Sequence, residues 1–387
     1  MSGVLEGVVV LDLTQMLAGP YCTMMLADHG ADVIKIEPPG GDISRTFGPF
    51  FEDDTERQYG GYFNSINRNK RSLVLDLKDA GDAEKFRQLV AKADVLVENY
   101  RAGVMERLDL GYEALAAVNP QIVYATIRGF GDERTGNSPY ADWPAFDIVA
   151  QAMGGFMGIT GPGEPMKAGP GVGDIFPGAL CAFGVVAALR KAERTGEGQF
   201  LDVPMYDAMV SLCERIVHLY TIGGVMPKPE GNNHPLAAPF SIYQAKDGWV
   251  AIACPVDSLW QRLAEAIGQP ELAADPAFAT NVERAKRSGE VQKILDEWCS
   301  QFTKLELAER LGGLVPFGPV NDTADVVNDP HIVGHDMVTS LDIPVGNGAA
   351  KIAGTPVRFA KTPGGVRSRG PLLGEHSGEI LAQFDIH

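Results

Sequence analysis

The 387-residue sequence predicts an α/β protein: a large, Rossmann-like, doubly wound domain joined to a smaller α+β domain. Three observations lead there. Apolar β-type runs alternate with helical periodicity through the first 130 residues. A long stretch at 178–189 is apolar and free of charge. Near residue 241 the pattern changes to a short strand pair followed by amphipathic helices.

The elements follow in order. Residues 6–12 (EGVVVLD) read as a buried strand, 21–30 (YCTMMLADHG) as a helix stopped by Gly30, and 31–37 (ADVIKIE) as a second strand. A strand, helix and strand in so short a span require a parallel pair. Further strands are expected at 72–77, 94–100 and 121–131, with helices at 82–93 and 104–110 between them. In the first of these helices Phe86, Leu89 and Val90 share one face. Apolar strands separated by helices belong in a mostly parallel sheet covered on both faces. In such sheets ligands bind beyond the carboxyl ends of the strands. The residues at those ends are 14–20, 37–45, Lys78, 99–101 and 128–131. The first turn, TQMLAGP, has no GxGxxG fingerprint, and 169–173 does not supply one, which argues against a dinucleotide cofactor.

A strand and a largely apolar helix are expected within 200–224. Residues 223–240, rich in Gly, Pro and Asn, read as a linker or mobile loop. The small domain then spans 241–329, with strands at 241–245 and 249–255 and helices near 257–268, 282–302 and 304–313. Residues 330–387 return to the large domain formed by 1–222; from about 316 onward the chain is loop-rich with little core pattern of its own.

One stretch concentrates unusual residue types. In AGPGVGDIFP, three glycines and two prolines crowd a single acid, Asp174, just before the apolar helix expected from Gly178. Asp174 is either a helix cap or a carboxylate that receives a ligand. A cap is a common fate for an Asp at a helix start. A cap does not need so many small and rigid neighbours, whereas a nucleophilic carboxylate that must admit a bulky acyl group does. The amides and dipole at a helix start favour negative charge there.

Composition narrows the function classes. Lys and Arg number 33 against 50 Asp and Glu, a net charge of −17, which argues against nucleic acid and against an anionic membrane surface as partners. Arg45, Lys70, Arg71, Lys78, Arg101, Arg107 and Arg128 form a basic subset near strand ends that suits a small anionic ligand. The five cysteines include no CxxC pair and lie mostly in apolar runs, so reduced, buried thiols in a cytoplasmic protein are expected. The start MSGVLEGVVVLDL lacks the features of a signal peptide, and 178–189 is too short to span a membrane. His331 and His335 are four apart without an acidic or thiol partner set, so no metal site is expected. GxSxG and Gx4GK[ST] are absent.

Seven ordered stretches resemble the family III coenzyme A transferases over nearly the whole chain. They are VLDLTQMLAGPYCTMMLADHGADVIKIEPPGGD, NRNKRSLVLDLK, DVLVENY with VMERLDLGYE, GVGDIFPG, RTGEGQFLDV, PFGPVND and PLLGEHSGEIL. The family includes formyl-CoA:oxalate, crotonobetainyl-CoA:carnitine and succinyl-CoA:dicarboxylate transferases. The resemblance places the catalytic acid at Asp174, acting through an aspartyl anhydride and an aspartyl-CoA thioester. It implies CoA or acyl-CoA as substrate, with neither metal nor ATP. CoA contacts carry over to Leu17, Ala18, Leu75, Asp76, Leu77, Lys78, Asn99, Tyr100, Arg101, Arg107, Arg128, Gly129, Phe130 and Gly131. It also implies an interlocked homodimer.

Succinyl-CoA as donor and a small dicarboxylic acid as acceptor fit the resemblance best. Leu17 stands where the formyl-CoA enzyme has a glutamine, which speaks against an oxalate-type site, and NNHPLAAP replaces its glycine-rich lid. Glu230 stands where many dicarboxylate members have an arginine. Arg45, Arg128 and His234 are candidates for the distal carboxylate, and carnitine-type, oxalate-type and aryl acceptors are the alternatives. Racemases of α-methylacyl-CoA share the fold but use a histidine base; the matching stretch here, PAFDIVAQ, has Phe146, which cannot accept a proton. A non-enzymatic CoA-binding protein is the other alternative, and retention of Asp174 in its glycine loop speaks against it.

Overall fold

Strand order decides where a ligand can enter this molecule. The structure, a computed structural model, describes residues 3–386. Six strands form one parallel sheet: β1 (Val9–Asp12), β2 (Asp32–Glu37), β3 (Arg71–Val74), β4 (Val95–Glu98), β5 (Val123–Thr126) and β6 (Gln199–Asp202). Their order is β3-β2-β1-β4-β5-β6. From β1 the chain winds outward one way to β3, and from β4 it winds the other way to β6. The loops after β1 and β4 therefore diverge and leave a crevice between them at the carboxyl edge.

Helices cover both faces. α1 (Ala18–Asp28) starts nine residues after the first strand begins, and Pro20 suits the first turn of a helix. α2 (Gly61–Asn67) and α3 (Ala80–Val90) follow; Asp79 caps α3 by accepting from Gly81 N and Asp82 N. α4 (Asp147–Met153), α5 (Val172–Thr195) and α6 (Met205–Leu212) complete the set used below. Cys22 and Leu26 of α1 pack with Cys181, Val185 and Leu189 of α5 over one side of β1 and β4. On the other side Phe86 and Leu89 of α3 pack with Leu11, Leu96 and Tyr124.

The helix expected from Gly178 begins six residues earlier, at Val172. Pro177 lies inside it and has no N–H for the carbonyl four residues back, which is why sequence placed a boundary there. The loss is a single bond. Asp174 N and Ile175 N both reach Gly171 O, at 3.1 and 2.8 Å, so the first turn closes without help from Pro177. Gly178 is required by packing: a Cβ there would lie 2.5 Å from Ala18 O. The helix is apolar nearly all round but not buried all round, since Phe183 is 75% exposed and Val186 44%. By length and composition α5 would suffice to cross a membrane, yet its other face carries Cys181 and Val185 fully into the core.

The chain divides into two compact units. The sheet belongs to the first, which runs to Phe156, resumes over Lys167–Val225 and resumes again from Pro330. The second holds Met157–Met166 and Met226–Asp329, so a ten-residue excursion after α4 and all but the first three residues of the stretch read as a linker are parts of it. Its antiparallel sheet joins β7 (Phe240–Ala245), β8 (Gly248–Ala253) and β9 (Phe317–Pro319). On it pack α7 (Asp257–Ala266), α8 (Ser288–Cys299) and α9 (Lys304–Leu311) through Trp260, Leu295 and Leu307. The tail after 330 has more core than its sequence suggested. Leu341, Ile343 and Ala350 pack with Phe51 and Tyr59, and Ile380 of the helix Ser377–Gln383 enters the main core.

Four ionic side chains lie buried beneath the carboxyl edge. Lys70 Nζ is 2.9 Å from Asp12 Oδ2, and Lys35 Nζ is 2.9 Å from Asp42 Oδ2; none of the four exceeds 1% exposure. Burial works against the charge on Asp12, but Lys70, Lys35 and the Thr14 hydroxyl outweigh it and hold its pKa down at about 2. For Lys70 burial wins over Asp12 and brings its pKa to about 8. Substituting one member of such a pair leaves the other charge buried alone. Lys70→Met is therefore expected to cost about 3–5 kcal/mol in a urea titration. The double variant Asp12→Asn/Lys70→Met is expected to lose less than the two single losses combined.

Candidate active site

The crevice predicted by strand order is occupied by a cavity of about 470 Å³. Its wall is made by the loop after β1 (Gln15, Met16, Leu17, Ala18), the loop after β4 (Asn99, Tyr100, Arg101, Ala102, with Arg107), the end of β5 (Ile127, Arg128, Gly129), the 141–146 stretch, Met205 and Asp174.

The loop after β1 is held from several sides. Asp12 accepts from Thr14 N at 2.9 Å and from its hydroxyl at 2.5 Å. Lys35 Nζ donates to Thr14 O at 2.8 Å. Asn99 grips the Gln15 backbone twice: its Oδ1 accepts from Gln15 N at 2.9 Å and its Nδ2 donates to Gln15 O at 2.8 Å. Met16 adopts a left-handed φ of 68°, a conformation that such a side chain holds only when its surroundings impose it. The result delivers Leu17 and Ala18 to the cavity wall at the start of α1, where no side chain caps the helix.

Asp174 is the third residue of α5, and no side chain caps that helix through its own N-terminal residue, Gly171. The capping acceptor comes from elsewhere. Asp147 Oδ1, on α4, accepts from Gly173 N at 2.8 Å. Gly173 must be glycine for this approach, since a Cβ there would lie 2.6 Å from Asp147 O. Asp174 is thus free of the capping duty that sequence held open for it. Among the described residues no hydrogen bond reaches its carboxylate, which stands half-buried in the cavity wall. Burial first, and the Asp147 charge second, push its pKa up to about 7. The Tyr62 phenol on α2 feels the Asp174 charge and is itself held above its ordinary range, chiefly by burial.

The predicted residues divide by what the fold asks of them. Leu17, Ala18, Asn99, Tyr100, Arg101, Arg107, Arg128, Gly129 and Asp174 line one cavity. Leu75, Asp76, Leu77 and Lys78 do not; they follow β3, two strands from β1 on the same edge, and Leu75 is core. Phe130 and Gly131 do not either. Phe130 is buried at the centre of Tyr140, Trp143 and Tyr206, and with Gly131 lines a neighbouring cavity of about 240 Å³. Arg45 is corrected as a carboxylate binder: Glu37 takes its guanidinium in two contacts of 2.8 and 2.7 Å, and its face lies 3.7 Å from the Phe63 ring. His234 belongs to the second unit, where its Nδ1 accepts from Leu236 N and its ring leans on Phe240.

The cations differ in availability. Arg128 is buried between Glu98 and Asp132, yet its Nε has no hydrogen-bond partner. Burial also pushes Glu98 up to about 7 despite Arg128. Arg101 and Arg107 are exposed at the cavity wall and make no ion pair among the described residues. Sequence reasoning missed Asp147 and Gln151. The signal was an acid and a glutamine four apart, DIVAQ, at a helix start directly after Phe146.

The raised pKa of Asp174 gives two expected outcomes. If the reaction needs the ionised carboxylate, the rate rises with pH through a midpoint near 7. The stability cost has the opposite sense. Below the ordinary value of 3.8 the group is protonated in both states and costs nothing. The cost grows as pH rises toward about 7 and is complete above it. Asp174→Asn removes the charge, so thermal unfolding at pH 8 is expected about 2–4 °C above that of the unsubstituted protein. The difference should vanish below pH 4.

Known proteins resemble this chain over nearly its whole length. The model of CoA-transferase family III matches residues 5–377. A succinyl-CoA:mesaconate CoA-transferase of Haloarcula hispanica is 49% identical over 386 residues, covering 99% of this chain and 97% of that protein. A succinate–glutarate CoA-transferase of Agrobacterium fabrum is 37% identical over 98% of this chain and 96% of that one. The crystal structure of a CAIB/BAIF family protein from Brucella suis superposes with a TM-score of 0.87 at 37% identity, covering 100% of both chains. A cavity at the switch point with an unliganded carboxylate in its wall, and a match over almost every residue, make this chain a member of CoA-transferase family III.

Proposed function

We propose that the chain moves CoA from succinyl-CoA to a small dicarboxylic acid of the mesaconate type, with Asp174 as the nucleophile. The observation that carries this reading is the state of Asp174: half-buried, without a hydrogen-bond donor, and set in the cavity at the switch point. The relatives named above supply the donor and the acceptor class. An Asp174 oxygen attacks the thioester carbonyl carbon. The C–S bond breaks, CoA leaves as thiolate, and a mixed succinyl–aspartyl anhydride forms. The thiolate then attacks the aspartyl carbonyl, which releases succinate and leaves an aspartyl-CoA thioester. The acceptor carboxylate attacks that thioester and expels CoA thiolate, giving a second anhydride. A last attack by the thiolate on the acceptor's carbonyl yields the new acyl-CoA and restores Asp174. Each step exchanges one acyl bond for another, so the cycle consumes no high-energy phosphate.

The wall residues divide the labour. Arg101 and Arg107, exposed and without an ion pair among the described residues, suit the phosphates of CoA. Backbone amides at the uncapped start of α1, at Ala18, suit the oxyanion that forms on the attacked carbonyl. Leu17, Trp143, Phe146 and Met205 make part of the wall apolar, which suits a hydrocarbon-bearing C4–C5 diacid better than oxalate. Arg128 lines the cavity and is the candidate for the distal carboxylate, although Glu98 and Asp132 already share its guanidinium. Leu75, Asp76, Leu77 and Lys78 lie along the same sheet edge, where the nucleotide end of CoA can extend. The proposal includes a cytoplasmic homodimer. Phe183 and Val186, exposed on α5, offer an apolar face for a second copy, and all five cysteines are free and buried, as in a reducing compartment.

The test is an exchange screen read by mass spectrometry. Succinyl-CoA and acetyl-CoA are each incubated with a panel of carboxylic acids, without ATP or added metal. New thioesters are expected from succinyl-CoA with C4–C5 dicarboxylic acids, and Asp174→Asn is expected to lower the rate by about 10³-fold or more. No exchange with any acid, or undiminished exchange in the variant, contradicts the proposal.

A further inference from the structure

The loop that leads into α5 is closed by two side chains from a single turn of α4. Gln151, fully buried, uses both ends of its amide. Its Oε1 accepts from Ala168 N at 2.8 Å, and its Nε2 donates to the two Asp147 oxygens at 2.9 and 2.8 Å. Asp147 in turn accepts from Gly173 N at 2.8 Å. Residues 168 and 173, the two ends of the glycine loop, are thereby tied to one rigid element. Within the loop, a Cβ placed on Gly171 would lie 3.8 Å from Asp147 Oδ1 and 3.8 Å from Asp174 Oδ2. The two carboxylates flank the same backbone position.

We propose that Gln151 and Asp147 are a positioning couple that holds a second carboxylate charge beside the nucleophile, so that acylation of Asp174 relieves the repulsion between the two acids. The inference rests on the reading of Asp174 as the nucleophile. Asp147 is supplied with donors by Gly173 and Gln151, whereas Asp174 has none among the described residues. The charge that is easier to displace is therefore the one on Asp174. When its oxygen bonds to the thioester carbon and the C–S bond breaks, the charge departs with the CoA thiolate. A neutral anhydride is left next to Asp147. No proton moves in the step. Asp147 touches neither substrate nor reacting atoms in this scheme. The other groups that face Asp174 are the Tyr62 phenol from α2, and Arg101, Arg107, Arg128 and Asp142 across the cavity. Burial of Asp174 works in the same direction as Asp147 and persists when Asp147 is changed.

The substitution Asp147→Asn keeps an oxygen for Gly173 N and removes the charge. Gln151→Met keeps the bulk and removes both tethers. Asp147→Glu restores the charge on a longer arm. With aspartate labelled at the carboxyl carbon, NMR follows the titration of Asp174 directly, its resonance assigned by its loss in Asp174→Asn. Asp147→Asn is expected to move the Asp174 midpoint down by about one pH unit. It is also expected to lower kcat about tenfold while KM for the acyl-CoA changes less than about threefold. Asp147→Glu should recover part of both. Gln151→Met should lower kcat in the same way. A folded Asp147→Asn protein whose Asp174 midpoint does not move overturns the proposal, as does a shifted midpoint with unchanged kcat. The titration needs no turnover, so it is separable from failure of the nucleophile assignment, which shows instead as full activity in Asp174→Asn.

Discussion

A carboxylate at the start of a helix ordinarily becomes its cap, and a capped carboxylate is a poor nucleophile because its lone pairs are already engaged. The site in this protein depends on avoiding that outcome. Asp147 reaches across from α4 and takes the Gly173 amide, so Asp174, one residue further along, keeps both oxygens unengaged among the described residues. The glycines follow from the same constraint. Gly173 lets Asp147 approach, and Gly178 lets the helix lie against the start of α1, which brings Leu17 and Ala18 to the same cavity. Burial of a carboxylate that lacks donors raises its pKa to about 7, which suits the nucleophilic role proposed for it.

Beneath the cavity a buried ionic network supports the loop after β1. Lys35 holds Thr14 O, Asp12 holds the Thr14 amide and hydroxyl, and Lys70 ties Asp12 to Pro20 O and the Asn67 side chain. Polar groups so deep cost more than they return unless nearly every one is satisfied. Their placement links β1, β2, α1 and α2 at the point where the sheet changes winding direction. The network positions backbone, and its charges are spent on one another. Cations outside it that can meet an anionic ligand include Arg101 and Arg107, exposed at the cavity wall.

This division explains what the sequence could and could not disclose. Alternating apolar strands and helices are a local signal, so the parallel sheet and the ends of its strands were readable, as was the change of character near residue 241. The glycine and proline cluster marked Asp174 for the same reason. The start of α5 was misplaced because Pro177 reads as a boundary, whereas its cost inside the helix is one hydrogen bond. Arg45 looked available because its partner Glu37 is eight residues away and meets it only after β2 ends in a turn. Arg101 and Arg45 are indistinguishable as residue types; their pairing is tertiary information. Asp147 and Gln151 were passed over because their partners, Gly173 and Ala168, lie 26 and 17 residues on. An acid and a glutamine on one helix face also have many ordinary uses. The exposure of Phe183 was equally hidden, since an apolar helix face carries no mark of which neighbour covers it.

The most direct measurement follows oxygen. In the proposed cycle the acceptor leaves one of its carboxylate oxygens on Asp174 each time a new thioester departs. Turnover with succinyl-CoA and an acceptor acid labelled with 18O at its carboxylates should place label in the tryptic peptide that contains Asp174, and then in the succinate released in later turnovers. Label confined to the acceptor and its thioester, with an unlabelled Asp174 peptide after many turnovers, would show that the acyl group never passes through this side chain.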